Sequence, residues 1–285
     1  MSAALEEGRL PLRPDDFARL ARLVQAEAGL ALPEAKAGHV RARLGRRLRA
    51  LGLRSFTAYA DMVEGAGDAA AREREEMLSA LTTNVTRCFR EPHHFETLRD
   101  RVLPDLAARA RAGGRVRLWS AGCSTGEEAY SLALTVLDVL PEAPTLDVRI
   151  LATDVDQRVL ATGSAGLYPA RAAQPIPAVL RARHFRQVAG ADGTGFAAGP
   201  ALRALVRFRR LNLARSWPIR GRFDAILCRN VVIYFDEATE RRVWSGLAER
   251  LVPGGWLFVG HSERIDTAAL PLLASDGVSS YRRRG

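Results

Sequence analysis

The chain has 285 residues, 47% of them hydrophobic, and a formal net charge of +10, so it can bury either one large core or two smaller ones. It contains no run of about 18 apolar residues, and its first residues are acidic and mixed, so neither a membrane span nor a signal peptide is expected and the expected location is cytoplasmic. Cys88, Cys123 and Cys228 are scattered without metal-ligand spacing, which argues against a disulfide framework and against a bound metal and leaves them as small buried apolar side chains.

Residues 1–80 read as a helical domain. Asp15 and Asp16 are expected to cap a helix in which Phe17, Leu20, Leu23 and Val24 recur at three- and four-residue spacing, ending near Gly29. A second helix runs from Pro33 to Gly52, with Val40, Leu44, Leu48 and Leu51 on one face. Lys36, His39, Arg43, Arg46 and Arg47 gather on the adjoining arc, and no acidic residue lies between Ala35 and Ala60. Such an arc is either an ordinary solvated face or a docking face for an acidic partner. No aromatic residue is interleaved for base stacking, so a protein partner is expected rather than nucleic acid, with Lys36, Arg43, Arg46 and Arg47 as the contacts. Ser55 is expected to cap a third helix, and a fourth leads from Gly65-Ala66-Gly67-Asp68 toward Leu81.

Residues 81–92 form a linker that resists a helical reading. If extended, it lines up Thr82, Asn84 and Thr86 on one side, either as a hydrogen-bonded connection or as a segment lying over a ligand. Pro92 then opens a helix with Phe95, Leu98, Val102 and Leu106. Within 93–285, strands at 116–121, 147–153, 206–211, 223–228 and 255–260 alternate with helices at 127–140, 155–162 and 237–251, the pattern of an α/β domain with a largely parallel sheet. The alternation lapses over 168–207. There His184–Val188, Gly195–Ala198 and Ala204–Phe208 are expected as a small antiparallel insertion, and Val278–Arg282 is expected to pair with the last strand.

The strand at 116–121 runs into Gly122-Cys123-Ser124-Thr125-Gly126 and then a helix. A dinucleotide turn would need three closely spaced glycines, and Glu127 and Glu128 would repel a pyrophosphate at the helix end. A serine hydrolase would use Gly-x-Ser-x-Gly here, with Asp224 and His261 following in the order of that fold, but the motif is short and no oxyanion loop precedes it. S-adenosylmethionine, which is cationic at one end and carries a ribose, suits an acid after the turn and Asp154 at the end of the next strand. Taken singly, Glu127 could serve only the helix dipole and Asp154 only a helix cap.

Several longer strings occur in order: Thr82-x-Asn84-x-Thr86-x-x-Phe89-Arg90-Glu91, Ser120 to Ser131, Ala152-Thr153-Asp154-x-Asp156, Gly166-x-Tyr168, Asn212-Leu213, Phe223 to Asp236 and Gly260-His261-Ser262-Glu263. Together they resemble the chemotaxis receptor methyltransferases of the CheR type, over almost the whole chain. Cys88 stands where that family commonly has phenylalanine. The resemblance implies an α/β, Rossmann-like S-adenosylmethionine-dependent methyltransferase sheet with a β-subdomain at 168–207 and an N-terminal all-helical, receptor-docking domain. It implies methyl transfer to glutamates of the chemoreceptors' cytoplasmic helical domain, with S-adenosylhomocysteine as the other product. The cofactor contacts it implies are Asn84, Thr86, Arg90, Glu127, Asp154, Asn212, Leu213, Arg229 and Asn230, with Arg90 and Tyr234 as catalytic residues. It further implies a tether site for a receptor's C-terminal peptide on the β-subdomain, and we expect a monomer that does not insert into a membrane. A non-catalytic, cofactor-binding adaptor of the same fold is the alternative.

Overall fold

A computed structural model of the chain describes residues 10–82, 84–190 and 193–285. The chain divides into two compact units, Met1–Thr83 with Tyr234–Asp236, and Asn84–Ile233 with Glu237–Gly285.

The first unit holds α1 (Pro14–Ala28), α2 (Ala37–Ala50), α3 (Phe56–Glu64) and α4 (Asp68–Leu81). Arg13, not an aspartate, is the N-cap of α1, because Pro14 takes the first helical position, where its fixed φ and missing N–H cost nothing. Asp15 and Asp16 fall in the first turn, and buried Asp16 accepts from the Thr57 hydroxyl at 3.1 Å. Ser55 caps α3 as expected, its Oγ accepting from Ala58 N at 3.1 Å. Phe17, Leu20, Val24, Val40, Leu44, Leu48, Tyr59 and Met77 build the core. Leu51, expected on that face, lies past the end of α2 and is exposed.

The basic arc of α2 divides in two. Arg43 Nη1 donates to the carbonyls of Ala80, Leu81 and Thr82, placing a cation on the open C-terminal end of α4. Arg47 grips buried Glu73 through Nε (3.0 Å) and Nη2 (2.6 Å), while the Tyr59 hydroxyl donates to the same carboxylate at 2.9 Å. Burial, and then the Glu73 charge, push the Tyr59 phenol well above its ordinary range. His39, Arg41, Arg46, Arg49 and Arg54 are exposed, as is Lys36, whose ammonium lies 5.7 Å from the centre of the Tyr234 ring. Tyr234–Asp236 join this unit by main-chain pairing: Leu30 bridges Phe235, Ala31 N donates to Tyr234 O at 2.8 Å, and Gln25 holds Asp236 at 2.9 Å.

The second unit begins with α5 (Pro92–Thr97), a π turn at Leu98–Val102 and α6 (Leu103–Arg111). There follow β1 (Val116–Ala121), α7 (Glu127–Val139), β2 (Val148–Asp154), α8 (Gln157–Ala165), β3 (Leu167–Pro169), α9 (Ala170–Ala173), α10 (Ala178–His184), β4 (Phe185–Gly190), β5 (Gly193–Ala198), α11 (Pro200–Leu205) and β6 (Val206–Arg210). The unit closes with β7 (Phe223–Cys228), α12 (Glu237–Arg250), β8 (Leu251–Val259), β9 (Leu273–Ser275) and β10 (Ser280–Arg283). The main sheet has the order β6-β2-β1-β7-β8-β10-β9. Its first five strands are parallel, and β10 and β9 are antiparallel additions. Strands covered on both faces must be apolar throughout, and every residue of β7 is buried. The small sheet, β3-β5-β4, is antiparallel as expected, but its third strand is Leu167–Pro169. Ala204 and Leu205 instead end α11, and Val206–Arg210 pairs in parallel with β2 on the main sheet, because this stretch connects a surface helix to an edge of that sheet.

Strand order reverses beside β1, with β2 on one flank and β7 on the other. In an open α/β sheet a ligand crevice opens there, beyond the carboxyl ends of the strands.

Arg47→Ala would strand the buried Glu73 carboxylate. It is expected to lower unfolding free energy by about 2–3 kcal/mol, whereas exposed Arg46→Ala should change it by less than about 0.5 kcal/mol. Denaturant titration followed by circular dichroism checks this, and equal shifts in the two variants would refute it.

Candidate active site

Four chain segments converge at the carboxyl ends of β1, β2 and β7. The first is the glycine turn. Gly122 has φ 82°, and a Cβ there would come within 2.3 Å of the Val231 side chain, so the turn requires glycine for both conformation and space. Gly122 N and Cys123 N both donate to Thr153 O at 2.8 Å, tying the turn to the end of β2. Tyr168 Oη donates to Thr125 O at 2.8 Å.

Behind the turn, Glu127 and Glu128 occupy the first turn of α7, and both are buried. Glu127 accepts the Thr125 hydroxyl at 2.6 Å. Glu128 accepts the Ser120 hydroxyl at 2.6 Å and an Arg229 N–H at 3.2 Å. Burial raises the Glu128 carboxyl above the usual range, opposed by Arg229 and Ser120. Two buried acids at a helix N-terminus cancel the positive end that a phosphate would need.

The second segment is the end of β2. Half-buried Asp154 accepts Ser124 N at 2.9 Å on one oxygen and Asp156 N at 3.0 Å on the other. Burial raises its pKa, and those N–H donors act against the rise. A carboxylate has about four acceptor sites, more than these N–H groups occupy. Leu211 N donates to Asp154 O at 3.0 Å, which brings Asn212 and buried Leu213 beside it. Asn212 Oδ1 accepts Ala214 N at 2.8 Å and shapes that turn.

The third segment is 84–92. Asn84 donates to Asp156 at 2.9 Å and its carbonyl accepts the Ser124 hydroxyl at 2.9 Å. Asn84 and Thr86 are half-buried while Val85 and Arg87 are exposed, the alternation that an extended polar row requires. Thr82 of that row belongs to the helical unit. Phe89 (φ 52°) and Glu91 (φ 56°) flank Arg90 in left-handed backbone, at about 1–2 kcal/mol each. Three contacts hold this corner: Phe89 N donates to Ser131 Oγ at 2.9 Å, Arg229 donates to the Arg90 carbonyl, and Glu91 Oε2 lies 3.3 Å from Arg229. The Arg90 guanidinium itself donates to Val85 O at 3.2 Å.

The fourth segment follows β7. Asn230 sits at φ 59°, and the N–H groups of Asn230, Val231, Val232 and Gly260 all converge on the buried Glu263 carboxylate at 2.6–2.9 Å. Glu263 carried no role in the sequence reading. It stands in the string Gly260-His261-Ser262-Glu263, but the string does not say what its carboxylate holds.

Among the predicted site residues, Asn84, Thr86, Arg90, Glu127, Asp154, Asn212, Leu213, Arg229 and Asn230 therefore all lie on the second unit, around this crevice. Tyr234 belongs to the helical unit. The hydrolase constellation does not assemble. Asp224 lies at the opposite end of the sheet, accepting Arg117 N at 2.8 Å and pairing with Arg109 at 2.5 Å, while His261 bonds Glu91 at 3.0 Å. Glu91, His93 and His94 place possible ligand atoms within 4.8 Å of one another, but the Arg229 guanidinium lies 3.3 Å from Glu91 and its charge opposes a cation there.

An acid-lined glycine turn beneath the switch point, with a further carboxylate at the end of the neighbouring strand, is the construction of an S-adenosylmethionine-dependent methyltransferase. Comparison with known proteins agrees. The model for "CheR methyltransferase, SAM binding domain" matches residues 84–275, and that for "CheR methyltransferase, all-alpha domain" matches residues 15–82. A probable chemotaxis protein methyltransferase of Rhizobium etli is 46% identical over 91% of this chain and 96% of its own. Chemotaxis protein methyltransferase 2 of Pseudomonas aeruginosa is 40% identical over 94% and 92%, and the Escherichia coli chemotaxis protein methyltransferase 38% over 90% and 86%. The chain belongs to the CheR methyltransferase family, and it is an enzyme that takes its methyl group from S-adenosylmethionine.

His94 is fully buried against Phe258 and His93. Burial and then the Arg229 charge lower its pKa to about 3. A base whose folded pKa lies below its unfolded value loses stability as pH falls through the interval between the two. Acidification from pH 7 to 5 is therefore expected to cost about 1–2 kcal/mol through this ring. Denaturation midpoints at both pH values should show that loss in the wild type and not in His94→Gln; the same loss in both would exclude His94 as its source.

Proposed function

We propose that the protein methylates glutamate side chains on the cytoplasmic helical region of chemoreceptors, forming glutamate methyl esters during adaptation of a chemotaxis-type signal, and that it works in the cytoplasm as a monomer. The observation that carries this reading is the pairing of a crevice lined by Glu127 and Asp154 with a cover that presents Arg90. The crevice suits a cationic cofactor and the cover suits an anionic acceptor.

In this reading the acids at the turn and the end of β2 orient the cofactor. Asp154 takes both ribose hydroxyls, Glu127 attends the amino-acid end, and Asn212, Leu213, Arg229 and Asn230 shape the remaining wall. Bound there, the cofactor supplies an electrophilic methyl on a sulfonium. A glutamate acceptor, with an ordinary pKa near 4.3, is already ionised at neutral pH and needs no general base. The work left to the protein is to strip water from the carboxylate and aim it. Asn84, Thr86 and Arg90 are assigned to the cofactor from the cover, Arg90 also to the incoming carboxylate, and Tyr234 to a hydrogen bond that fixes that carboxylate. One oxygen–carbon bond forms as the sulfur–carbon bond breaks, with no net proton transfer.

Receptor docking is assigned to the outward part of the α2 arc, Lys36 and Arg46 joined by Arg41 and Arg49. Arg43 and Arg47 hold that helix in shape. The small sheet is proposed to take the receptor's C-terminal tether.

Arg90→Ala and Asp154→Ala are expected to weaken S-adenosylhomocysteine binding about tenfold or more, the scale of one or two charge-assisted hydrogen bonds, and to abolish base-labile methyl labelling of receptor-rich membranes. Unchanged labelling in both variants would defeat the site assignment. The double reversal Arg46→Glu, Arg49→Glu should raise the KM for receptor while leaving S-adenosylhomocysteine affinity intact by calorimetry. A matching loss of both would show that α2 is not the docking face.

A further inference from the structure

The His261 side chain sits against the corner that carries Arg90. Its ring is 64% exposed, whereas the carboxylate it meets, Glu91, is only 11% exposed. Nδ1 lies 3.0 Å from Glu91 Oε1, and the His261 backbone N–H approaches the same oxygen at 3.3 Å. The other Glu91 oxygen faces Arg229 at 3.3 Å and His94 Nδ1 at 3.6 Å. Arg229 in turn donates to the Arg90 carbonyl. A continuous path therefore runs from His261 through Glu91 and Arg229 to the backbone of Arg90.

The platform beneath His261 is stiff. Gly260 N donates to Glu263, which also holds the main chain of Asn230, Val231 and Val232. A Cβ on Gly260 would meet Asn230 atoms at 2.6 and 2.8 Å, so no other residue fits and the main chain there has little room to shift. A ring projecting from such a platform can fix the position of what it touches. The neutral Nδ1–H ring and the imidazolium both present a donor on Nδ1.

We propose that His261 is a positioning residue for methyl transfer: its Nδ1 latches Glu91 from the surface and so holds the left-handed corner that aims Arg90. The inference rests on the assignment of Arg90 to the acceptor carboxylate.

The test compares His261→Ala, His261→Gln and His261→Asn in steady-state methyl transfer to receptor-rich membranes, with Arg90→Ala as reference and melting temperature measured for each. Asparagine places its amide nitrogen where Nδ1 was, and glutamine places its own where Nε2 was. Alanine and glutamine should lower kcat about tenfold or more with receptor KM within about twofold, while asparagine restores kcat to within about threefold of wild type. All three should melt within about 2 °C of wild type, since an exposed side chain contributes little to folding. Equal activity of the asparagine and glutamine variants, undiminished kcat in the alanine variant, or a loss that tracks melting temperature would each overturn the latch. If Arg90→Ala is inactive while His261→Ala is not, only the latch fails. If Arg90→Ala is fully active, the Arg90 assignment fails and the latch with it.

Discussion

A single buried guanidinium organises this active site. Arg229, 5% exposed at the end of β7, faces Glu128 on α7 and Glu91 on the cover, and it donates to the Arg90 carbonyl between them. Burial raises the Glu128 carboxyl, Arg229 opposes that rise, and the neighbouring Glu91 adds to it. Removing the cation would leave both acids uncompensated, whereas removing either acid would still leave it a partner. The fold brings these groups together from three distant points in the chain because the strand order reverses at β1, so β7 and the turn into α7 end side by side. Arg229 then fastens the cover to that junction.

The same arrangement explains why the crevice favours a cationic ligand. Most glycine turns at a sheet's carboxyl edge exploit the positive helix end for phosphate. Here Glu127 and Glu128 fill the first turn of α7. Asp154 adds a third acid on the adjacent strand, fixed by Ser124 N and Asp156 N, so its remaining lone pairs point in defined directions.

Much of this was legible in the sequence, for reasons that can be named. Strands 116–121 and 223–228 stood out with their bounds, the first as a short alternately apolar run broken by the glycine turn and the second as a largely apolar run. Ser55 and Pro92 mark helix starts through local chemistry that tertiary packing does not alter. Local chemistry also misled: Asp15 and Asp16 looked like caps, but Pro14 had already set the start of α1. Pairing partners are not local, so the third strand of the small sheet was placed at Ala204–Phe208 when it lies at Leu167–Pro169. A helical wheel shows which residues share an arc, but not which of them find partners. Arg43 and Arg46 are alike on a wheel, and only the position of the C-terminus of α4 separates a capping arginine from an outward one. Glu263 was legible as part of a string but not by its role, because four converging N–H groups come from two separate loops.

The return of Tyr234–Asp236 to the helical unit bears on how such a protein can be inherited. A gene segment ending near residue 83 would encode four helices without the three residues that meet Gln25, Leu30 and Ala31. A segment starting there would carry that tripeptide without its pairing partners. The two halves are thus not interchangeable cassettes; recombination between relatives would have to preserve the match between the α1–α2 connection and a tripeptide about 200 residues downstream. The helical half and the methyltransferase half are in this way obliged to evolve together.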